Sequence, residues 1–183
     1  FPLFWGTATV VYDDPAKAEK PDEITTVRSL LSPEVQAAES ELMVVSPYFV
    51  LLDDGQESFR KLRERGVRIV VLTNSLASTD MVPAHSGYAE CRDNLLEWGV
   101  EMHELKPDVS FDEKRKSGLD FTHSALHMKS FIVDRRQMFV GSFNWDPRSA
   151  RINTEIGVFV DSPALAEWAA ELLETRLPTH SYR

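Results

Sequence analysis

The sequence has a single cysteine, no long apolar run and no excess of basic residues, and each absence narrows the possible functions. Cys91 has no second cysteine with which to form an internal disulfide, so a reducing compartment is the simpler interpretation. No apolar run approaches the ~20 residues that a membrane-spanning helix requires. The 20 Lys and Arg residues are outnumbered by 29 Asp and Glu residues, and the formal net charge is −9 at pH 7. Because proteins that bind nucleic acid through its phosphates usually carry a basic surface, this balance counts against nucleic acid as a partner.

The residues that are present suit one globular domain. A chain of 183 residues can bury a full hydrophobic core, and its 43% hydrophobic and 27% charged residues are ordinary for a globular protein. The first residue is Phe1 rather than Met, and the opening reads like the interior of a longer sequence. We therefore expect residues 1–183 to form one domain that belongs to a longer protein.

Short apolar runs and helix-length segments alternate along the chain. Three such runs, each separated from the next by a predicted helix, are residues 42–46, 67–73 and 100–105. This alternation favours parallel strands joined by helical crossovers. Residues 126–133 and 137–142 are two further runs that flank a tight polar turn, which favours a hairpin. The predicted fold is a single α/β domain with a mixed, mostly parallel β-sheet flanked by helices on both faces.

The polar residues that suggest chemistry are concentrated in the predicted hairpin. His127 and Lys129 lie two residues apart on a strand, so their side chains point to the same face. If the turn is centred on residues 135–136, Lys129 lies opposite Ser142 and His127 lies opposite Asn144. Directly opposed side chains have Cβ atoms ~4.5–5.5 Å apart. We therefore expect four polar side chains to converge on one small patch.

Such a patch has the groups needed to transfer a phosphoryl centre. An imidazole can act as a nucleophile or as a general acid–base near neutral pH. An ammonium, a hydroxyl and an amide can hold phosphate oxygens and stabilise the charge that develops on them. The motif contains no carboxylate cluster for a divalent metal, so the prediction is metal-independent chemistry with no cofactor. A zinc pair formed by His123 and His127 is the alternative, but it lacks the intervening glutamate and the flanking residues favour a strand.

These residues match a known signature. His127-x-Lys129, Asp134 and Gly141-Ser142-x-Asn144 agree at every specified position with the HxK(x)4D(x)6GSxN motif of the phospholipase D superfamily. Outside the motif, residues 46–49, 72–76 and 144–163 resemble the second half of cardiolipin synthase C-like proteins of bacteria. The resemblance extends from about residue 12 to residue 177.

The resemblance implies roles that spacing alone does not assign. His127 would attack phosphorus to form a phosphohistidine, or would protonate the leaving alcohol. The phosphate would be held by three side chains, namely Lys129, Ser142 and Asn144.

The resemblance also implies supporting residues. Glu155 is similar to the carboxylate that hydrogen-bonds a motif histidine in the family, and Asp134 matches a motif position that is expected to be mainly structural. Tyr48 either lines the site or packs below it. Arg148 and Asn153 either contact the substrate or build the turns around the site.

The activity implied is that of a phosphatidyl-transferring enzyme of the cardiolipin synthase type, acting on glycerophospholipids through peripheral contact with the cytoplasmic face of a bacterial membrane. The basic residues 114–116 either meet anionic headgroups or form a solvated loop. Three alternatives stay open. They are a phospholipase D that hydrolyses phospholipids, a nuclease of the same superfamily, and a non-catalytic half that serves as a scaffold.

One departure from the family leads to a prediction. Members need two motifs that face each other, and this chain holds one, so the second comes either from an N-terminal half of the same protein or from a homodimer mate. We predict that the 183-residue chain, assayed as a monomer, shows no turnover of phospholipid, because nucleophile and acid are separated. A protein that also contains the second motif should turn phospholipid over. Comparable activity from the monomeric chain would contradict the prediction.

Overall fold

The computed structural model describes residues 2–20, 24–107 and 126–183, which contain one eight-stranded sheet. In chain order its strands are β1 (Thr7–Tyr12), β2 (Glu41–Val45), β3 (Arg68–Asn74), β4 (Glu101–Leu105), β5 (Lys129–Val133), β6 (Gln137–Gly141), β7 (Ile156–Asp161) and β8 (Ser181–Tyr182). The helices in the same ranges are α1 (Val27–Gln36), α2 (Asp53–Glu64), α3 (Val82–Glu97), α4 (Pro147–Arg151) and α5 (Pro163–His180), with a 3-10 turn at Pro15–Ala18.

The sheet is mixed, with the strand order β1-β7-β6-β5-β2-β3-β4-β8. The pairs β2–β3 and β3–β4 are parallel, as the alternation of strands and helices predicts. The pairs β1–β7, β7–β6, β6–β5, β5–β2 and β4–β8 are antiparallel. The expectation of a mostly parallel sheet is therefore wrong. Parallel pairing requires a crossover of a dozen or so residues, and the connection between β5 and β6 is far too short to provide one.

Helices cover the sheet on both faces, which confirms the predicted layers. Because side chains alternate along a strand, each central strand contributes to two cores. The core on one face joins strand residues Leu42, Val44, Ile69 and Val71 to helix residues Leu31, Phe59 and Leu95. The core on the opposite face joins Met43, Val45, Val70 and Leu72 to the α5 residues Ala166, Ala170 and Leu173. The five residues of β2 are all buried, because both of its faces are covered.

The motif residues lie along one side of the sheet, where β2 and β6 end and where β5 and β7 begin. Val45, at the end of β2, pairs with Ser130 at the start of β5. Across the other side of β5, Lys129 pairs with Gly141 at the end of β6, and Gly141 pairs with Gly157 at the start of β7. We call this the motif edge, defined by residues 127–129, 141–144 and 155.

Two glycines allow the strands to approach closely below the motif edge. A Cβ at Gly141 would lie 2.5 Å from the carbonyl oxygen of Ile156. A Cβ at Gly157 would overlap the ring of Phe139, which is buried and stacks on Phe131 with 5.2 Å between ring centroids. The aromatic ring thus occupies the volume that the glycines leave empty.

This packing predicts that Gly157→Ala destabilises the fold. The added methyl group must displace a buried ring, and overpacking of this kind costs about 1–3 kcal/mol. The free energy of unfolding, measured by denaturant titration, should fall by that amount. Gly55→Ala in α2 is the matched control, since its nearest neighbour is the flexible side chain of Leu51 at 3.2 Å and alanine favours a helix. Equal stability of the two variants would show that the ring of Phe139 can move aside.

Candidate active site

His127 and Lys129 form the centre of the motif edge. His127 is exposed immediately before β5, and Lys129 is the first residue of that strand and only 8% exposed. The Lys129 ammonium donates a hydrogen bond to the carbonyl oxygen of His127 at 2.7 Å, and its Nζ lies 3.4 Å from Nδ1 of the same residue. The backbone therefore holds the cation beside the imidazole.

The environment of Lys129 mixes burial with negative charge. Burial lowers the pKa of its ammonium below the usual value, and carboxylates close by act in the opposite direction without cancelling that effect. In order of their effect, these carboxylates belong to Glu155, Asp80 and Asp146. A cation that is poorly hydrated and already close to anions is suited to contact the oxygens of a phosphate.

Ser142 follows β6 at the same edge. Its hydroxyl donates to Oε2 of Glu155 and accepts from the backbone N–H of Ile156 at 3.0 Å. Its own backbone N–H donates to the carbonyl oxygen of Ile156 at 2.9 Å. Ser142 is thus attached to the start of β7 by both its backbone and its side chain.

The pairing that the sequence predicts for the hairpin is wrong by one residue. Lys129 lies opposite Gly141 rather than Ser142, and His127 and Asn144 lie beyond the ends of the paired strands. The turn contains three residues instead of two, and Asp134 and Arg135 adopt left-handed φ angles of 50° and 52°. The four groups nevertheless share one edge, because the side chains reach it from strand ends rather than from opposed positions.

Asn144 is buried and lies between Phe143 and Trp145 in the sequence. Its backbone N–H donates to the hydroxyl of Ser149 at 3.2 Å. The side-chain oxygen Oδ1 is buried and has no hydrogen-bond partner within the described ranges. An unsatisfied buried polar atom costs about 1–3 kcal/mol, and as an acceptor Oδ1 could be satisfied only by a hydrogen-bond donor.

Glu155 lies below the site and contacts serines. It is 5% exposed, and its carboxylate accepts hydrogen bonds from Ser142 and from the Ser149 hydroxyl, the latter at 2.6 Å. A hydrogen bond between Glu155 and a motif histidine, which the resemblance implies, stays a prediction beside these two bonds from serines. Ser149 was not among the predicted site residues, although Asp146-Pro147 before it is a recognisable helix start, and Asp146 caps α4 by accepting from the Ser149 amide at 2.8 Å.

Tyr48 stands beside the motif edge in the loop after β2. Its hydroxyl donates to Oδ1 of Asp80 at 2.9 Å. Burial, followed by this hydrogen bond, raises the pKa of Tyr48 to about 12, so the phenol stays protonated at neutral pH. Asp80 is a second residue that sequence reasoning missed, since it lies in a polar loop with no motif around it.

Arg148 and Asn153 occupy the segment between β6 and β7. Arg148 is exposed in α4, Asn153 is half-buried, and the Asn153 amide donates to the Arg148 carbonyl oxygen at 2.8 Å. This bond closes the turn after α4. Contact of either side chain with a substrate stays a prediction.

Asp134 is not brought together with the other motif residues. Its carboxylate accepts from the backbone N–H groups of residues 39, 40 and 41 at 2.9, 2.7 and 2.9 Å, and from the Ser40 hydroxyl at 2.8 Å. Asp134 lies just beyond the far end of β5, so roughly 16 Å separates it from Lys129 at about 3.3 Å per residue. Its contacts fix the loop that leads into β2.

Several residues named from the sequence fall outside the described ranges, namely His123 and residues 114–116. Within those ranges, no group of three or more His, Cys, Asp or Glu side chains is placed to hold a metal ion. Among the described helices, none has the length and apolar character to cross a membrane.

Comparison with known proteins shows the family to which the chain belongs. Residues 31–177 match the family described as cardiolipin synthase, PLD-like domain. Cardiolipin synthase C of Escherichia coli K12 is 37% identical over 169 residues, which are 91% of this chain and 36% of that protein. The chain thus spans about a third of the length of the curated relatives it matches.

Solved structures share the fold. The phospholipase D family member Nuc from Salmonella typhimurium superposes with a TM-score of 0.70 at 18% identity, covering 98% of this chain and 99% of that one. The phosphatidylserine synthase of Haemophilus influenzae gives 0.68 at 16% identity, covering 96% of this chain and 39% of that one. The chain belongs to the phospholipase D-like domain family of cardiolipin synthases, and the resemblance seen in its motif is confirmed.

The contacts of Asp134 predict a pH-dependent loss of stability in Asp134→Asn. Burial raises the pKa of this carboxyl, but hydrogen bonds from Glu41, Glu39 and Ser40 outweigh burial and leave the pKa below its usual value. The carboxylate therefore stabilises the fold above the unfolded-state pKa of about 3.9, and this contribution disappears as the pH falls through the folded-state pKa.

We expect Asp134→Asn to lower the free energy of unfolding by about 1.5–3 kcal/mol at pH 7, with the difference from wild type shrinking below pH ~4. Asparagine tolerates the left-handed φ, so the backbone strain is unchanged. Denaturant titration across pH measures both effects. Asp93→Asn, on an exposed face of α3, is the control and should change stability little. If the difference in the free energy of unfolding between wild type and Asp134→Asn is as large at pH 3 as at pH 7, the stabilising role of the Asp134 carboxylate is contradicted.

Proposed function

We propose that this chain supplies one half of the active site of a phosphatidyl-transferring enzyme of the cardiolipin synthase type. The observation that carries the proposal is the exposed imidazole of His127, held beside the buried ammonium of Lys129 at an edge that also carries Ser142 and Asn144. The 37% identity to a cardiolipin synthase supports a glycerophospholipid as the substrate class.

The side chains at the motif edge can hold a phosphodiester without a metal. Lys129 supplies a full positive charge and the Asn144 carboxamide supplies N–H donors, while the Ser142 hydroxyl, which donates to Glu155, lies at the same edge. These donors would stabilise the negative charge on the non-bridging oxygens as phosphorus becomes five-coordinate. We therefore propose metal-independent exchange at the phosphodiester.

The contact between Lys129 and His127 favours one of the two roles left open for the histidine. An ammonium can only donate, so Nδ1 of a neutral imidazole acts as the acceptor and the ring proton is on Nε2. In that tautomer neither ring nitrogen offers a free lone pair to phosphorus. Protonation of Nδ1 in place of the long contact to Lys129 would make the ring an imidazolium, which is an acid near neutral pH. We propose that His127 protonates the leaving alcohol while the histidine of the second motif attacks phosphorus.

The proposed reaction then has two balanced steps. In the first, a bond forms between phosphorus and the second histidine, the bond from phosphorus to the leaving oxygen breaks, and that oxygen takes the Nε2 proton of His127, which starts as an imidazolium and is left as a neutral imidazole. In the second, His127 takes a proton from an acceptor alcohol, whose oxygen displaces the phosphohistidine. Water as the acceptor would give hydrolysis by the same steps.

An exposed apolar strip beside the motif edge supports pairing with a second half. Val10 and Tyr12 on β1, Val140 on β6 and Ile156 on β7 are exposed and lie on one face of the sheet. Helix α5 covers the neighbouring part of this face, and Met138 on β6 packs against the core that the helix forms there. An uncovered apolar sheet face is typical of an interaction site. The proposed occupant is the second motif-bearing half, from the same protein or from a homodimer mate.

The membrane location is part of the same proposal. A phosphatidyl donor resides in a bilayer, so the enzyme must reach the headgroup from the membrane surface. We propose peripheral contact at the cytoplasmic face of the membrane.

His127→Ala in the complete protein tests the function and the assigned role together. With phosphatidylglycerol vesicles as donor, we expect transfer to fall at least about a hundredfold, because an alkoxide leaves poorly without general acid catalysis. With a nitrophenyl phosphodiester, whose leaving group needs no proton, the loss should be much smaller. Product formation by thin-layer chromatography and nitrophenolate absorbance measure the two rates.

The control is His103→Gln, a histidine on β4 that contacts Ser181 and is separated from β5 by β3 and β2. It should retain both activities. Equal loss with both donors would make His127 the nucleophile, and retention of lipid transfer by His127→Ala would indicate a scaffold. Cleavage of DNA by the complete protein, without any action on lipid, would overturn the proposal in favour of a nuclease.

A further inference from the structure

A buried ion pair lies directly beneath the motif edge, outside the signature that defines the family. Lys17 is completely buried, and its Nζ contacts Oδ2 of Asp13 at 2.5 Å, with both side chains fully excluded from solvent. Asp13 follows β1, and Lys17 belongs to the 3-10 turn after it. Burying two charges costs desolvation that their attraction rarely exceeds by much, so such a pair contributes little net stability compared with apolar residues.

The Asp13 carboxylate is bonded to the backbone of the site. Its Oδ2 accepts from the Glu155 amide at 2.9 Å, and its Oδ1 accepts from the Val27 amide at the start of α1 at 2.6 Å. The Asp13 amide in turn donates to the Glu155 carbonyl oxygen at 2.9 Å. Asp13 therefore fixes both backbone groups of Glu155.

The Lys17 ammonium is bonded to the other support of the site. It donates to the carbonyl oxygen of Ser149 at 2.6 Å. The Ser149 hydroxyl donates to Glu155 at 2.6 Å and accepts from the Asn144 amide at 3.2 Å. Through Asp13 and Lys17, the pair thus holds Glu155 and Ser149 at a fixed separation.

We infer that the Asp13–Lys17 ion pair is a positioning element of the active site. It sets the distance between Glu155 and Ser149, and these two residues orient the Ser142 hydroxyl and the Asn144 backbone. In the described part of the chain, Asp13 and Lys17 bond Glu155 and Ser149 but make no hydrogen bond to His127, Lys129, Ser142 or Asn144, so the effect is transmitted through Glu155 and Ser149. The inference rests on the proposed function only in assigning Ser142 and Asn144 to phosphate binding.

Amide hydrogen exchange on this chain tests the positioning without reference to activity. Lys17→Met removes the ammonium and leaves the hydrogen bonds of the Asn144 and Ile156 amides chemically intact. Positioning predicts that exchange at the amides of Asn144, Glu155 and Ile156 accelerates at least about tenfold through local opening. The Glu41 amide, which donates to Asp134 at the far end of β5, should keep its exchange rate. Acceleration by one common factor at all four amides would overturn the inference in favour of a purely stabilising pair.

If Lys17→Met folds poorly, a double variant allows the same exchange measurement on a more stable protein. Asp13→Asn combined with Lys17→Met leaves no unpaired buried charge, so its melting temperature should exceed that of Lys17→Met. The same three amides should still exchange at least about tenfold faster than in wild type, because the ammonium is absent and the carboxamide is a weaker acceptor for Glu155. Wild-type exchange at these amides in the double variant would overturn the inference.

Turnover by the complete protein supplies the second readout. The double variant should lose at least about tenfold in kcat for phosphatidyl transfer with KM nearly unchanged, as expected when only the geometry of the reacting groups is disturbed. Arg135→Met is the matched control, since it removes ion pairs to Glu41 and Glu174 at the opposite end of the hairpin and should leave kcat unchanged. An unchanged kcat in the double variant overturns the inference and leaves the proposed function standing. Absence of lipid transfer in the wild-type complete protein overturns the proposed function. The amide exchange rates would still test whether the ion pair positions Glu155 and Ser149.

Discussion

The carboxylate of Glu155 is the point at which the described site is held together. It is buried at the start of β7 and accepts from Ser142, which follows β6, and from Ser149, which lies in α4. Three separate segments of the chain thus meet at one side chain. Because a buried carboxylate is stable only when its oxygens are hydrogen-bonded, each serine is fixed by the need to satisfy the charge as much as by its own packing. The geometry of the motif edge follows from that requirement.

The motif residues at the two ends of β5 differ in what they contact. His127 and Lys129 stand at its beginning, with the exposed imidazole and the poorly hydrated ammonium side by side. Asp134 stands just beyond its other end and bonds three backbone amides of the loop before β2. A strand is rigid because both of its neighbours are hydrogen-bonded to it, so it transmits the position of that loop to the motif edge. A sequence signature that reads as one site is therefore divided between two ends of the sheet.

The hairpin of β5 and β6 shows both what the polar pattern predicts and what it leaves open. The alternation of polar residues correctly places His127 and Lys129 where β5 begins, and Ser142 and Asn144 where β6 ends. It does not reveal the length of the turn, because Asp134 and Arg135 adopt left-handed angles that neither residue type requires. One extra turn residue moves Gly141, rather than Ser142, opposite Lys129. The prediction of a mostly parallel sheet is wrong for a related reason. A helix between two strands indicates a crossover, but it does not indicate which strands the remaining segments pair with.

The sequence by itself determined the family, the layers of the α/β fold and the residues of the motif, because these depend on residue identity and on periodicity along the chain. Only the tertiary structure decided that Glu155 bonds Ser142 and Ser149, that Asp80 lies close to Lys129, and that Asp13 and Lys17 support the site from below. These contacts join residues from 6 to 142 positions apart, and the partner of a buried charge is set by which strands are neighbours in space. The local sequence pattern does not indicate which residue will be the partner of a buried charge, because that depends on how the whole sheet packs.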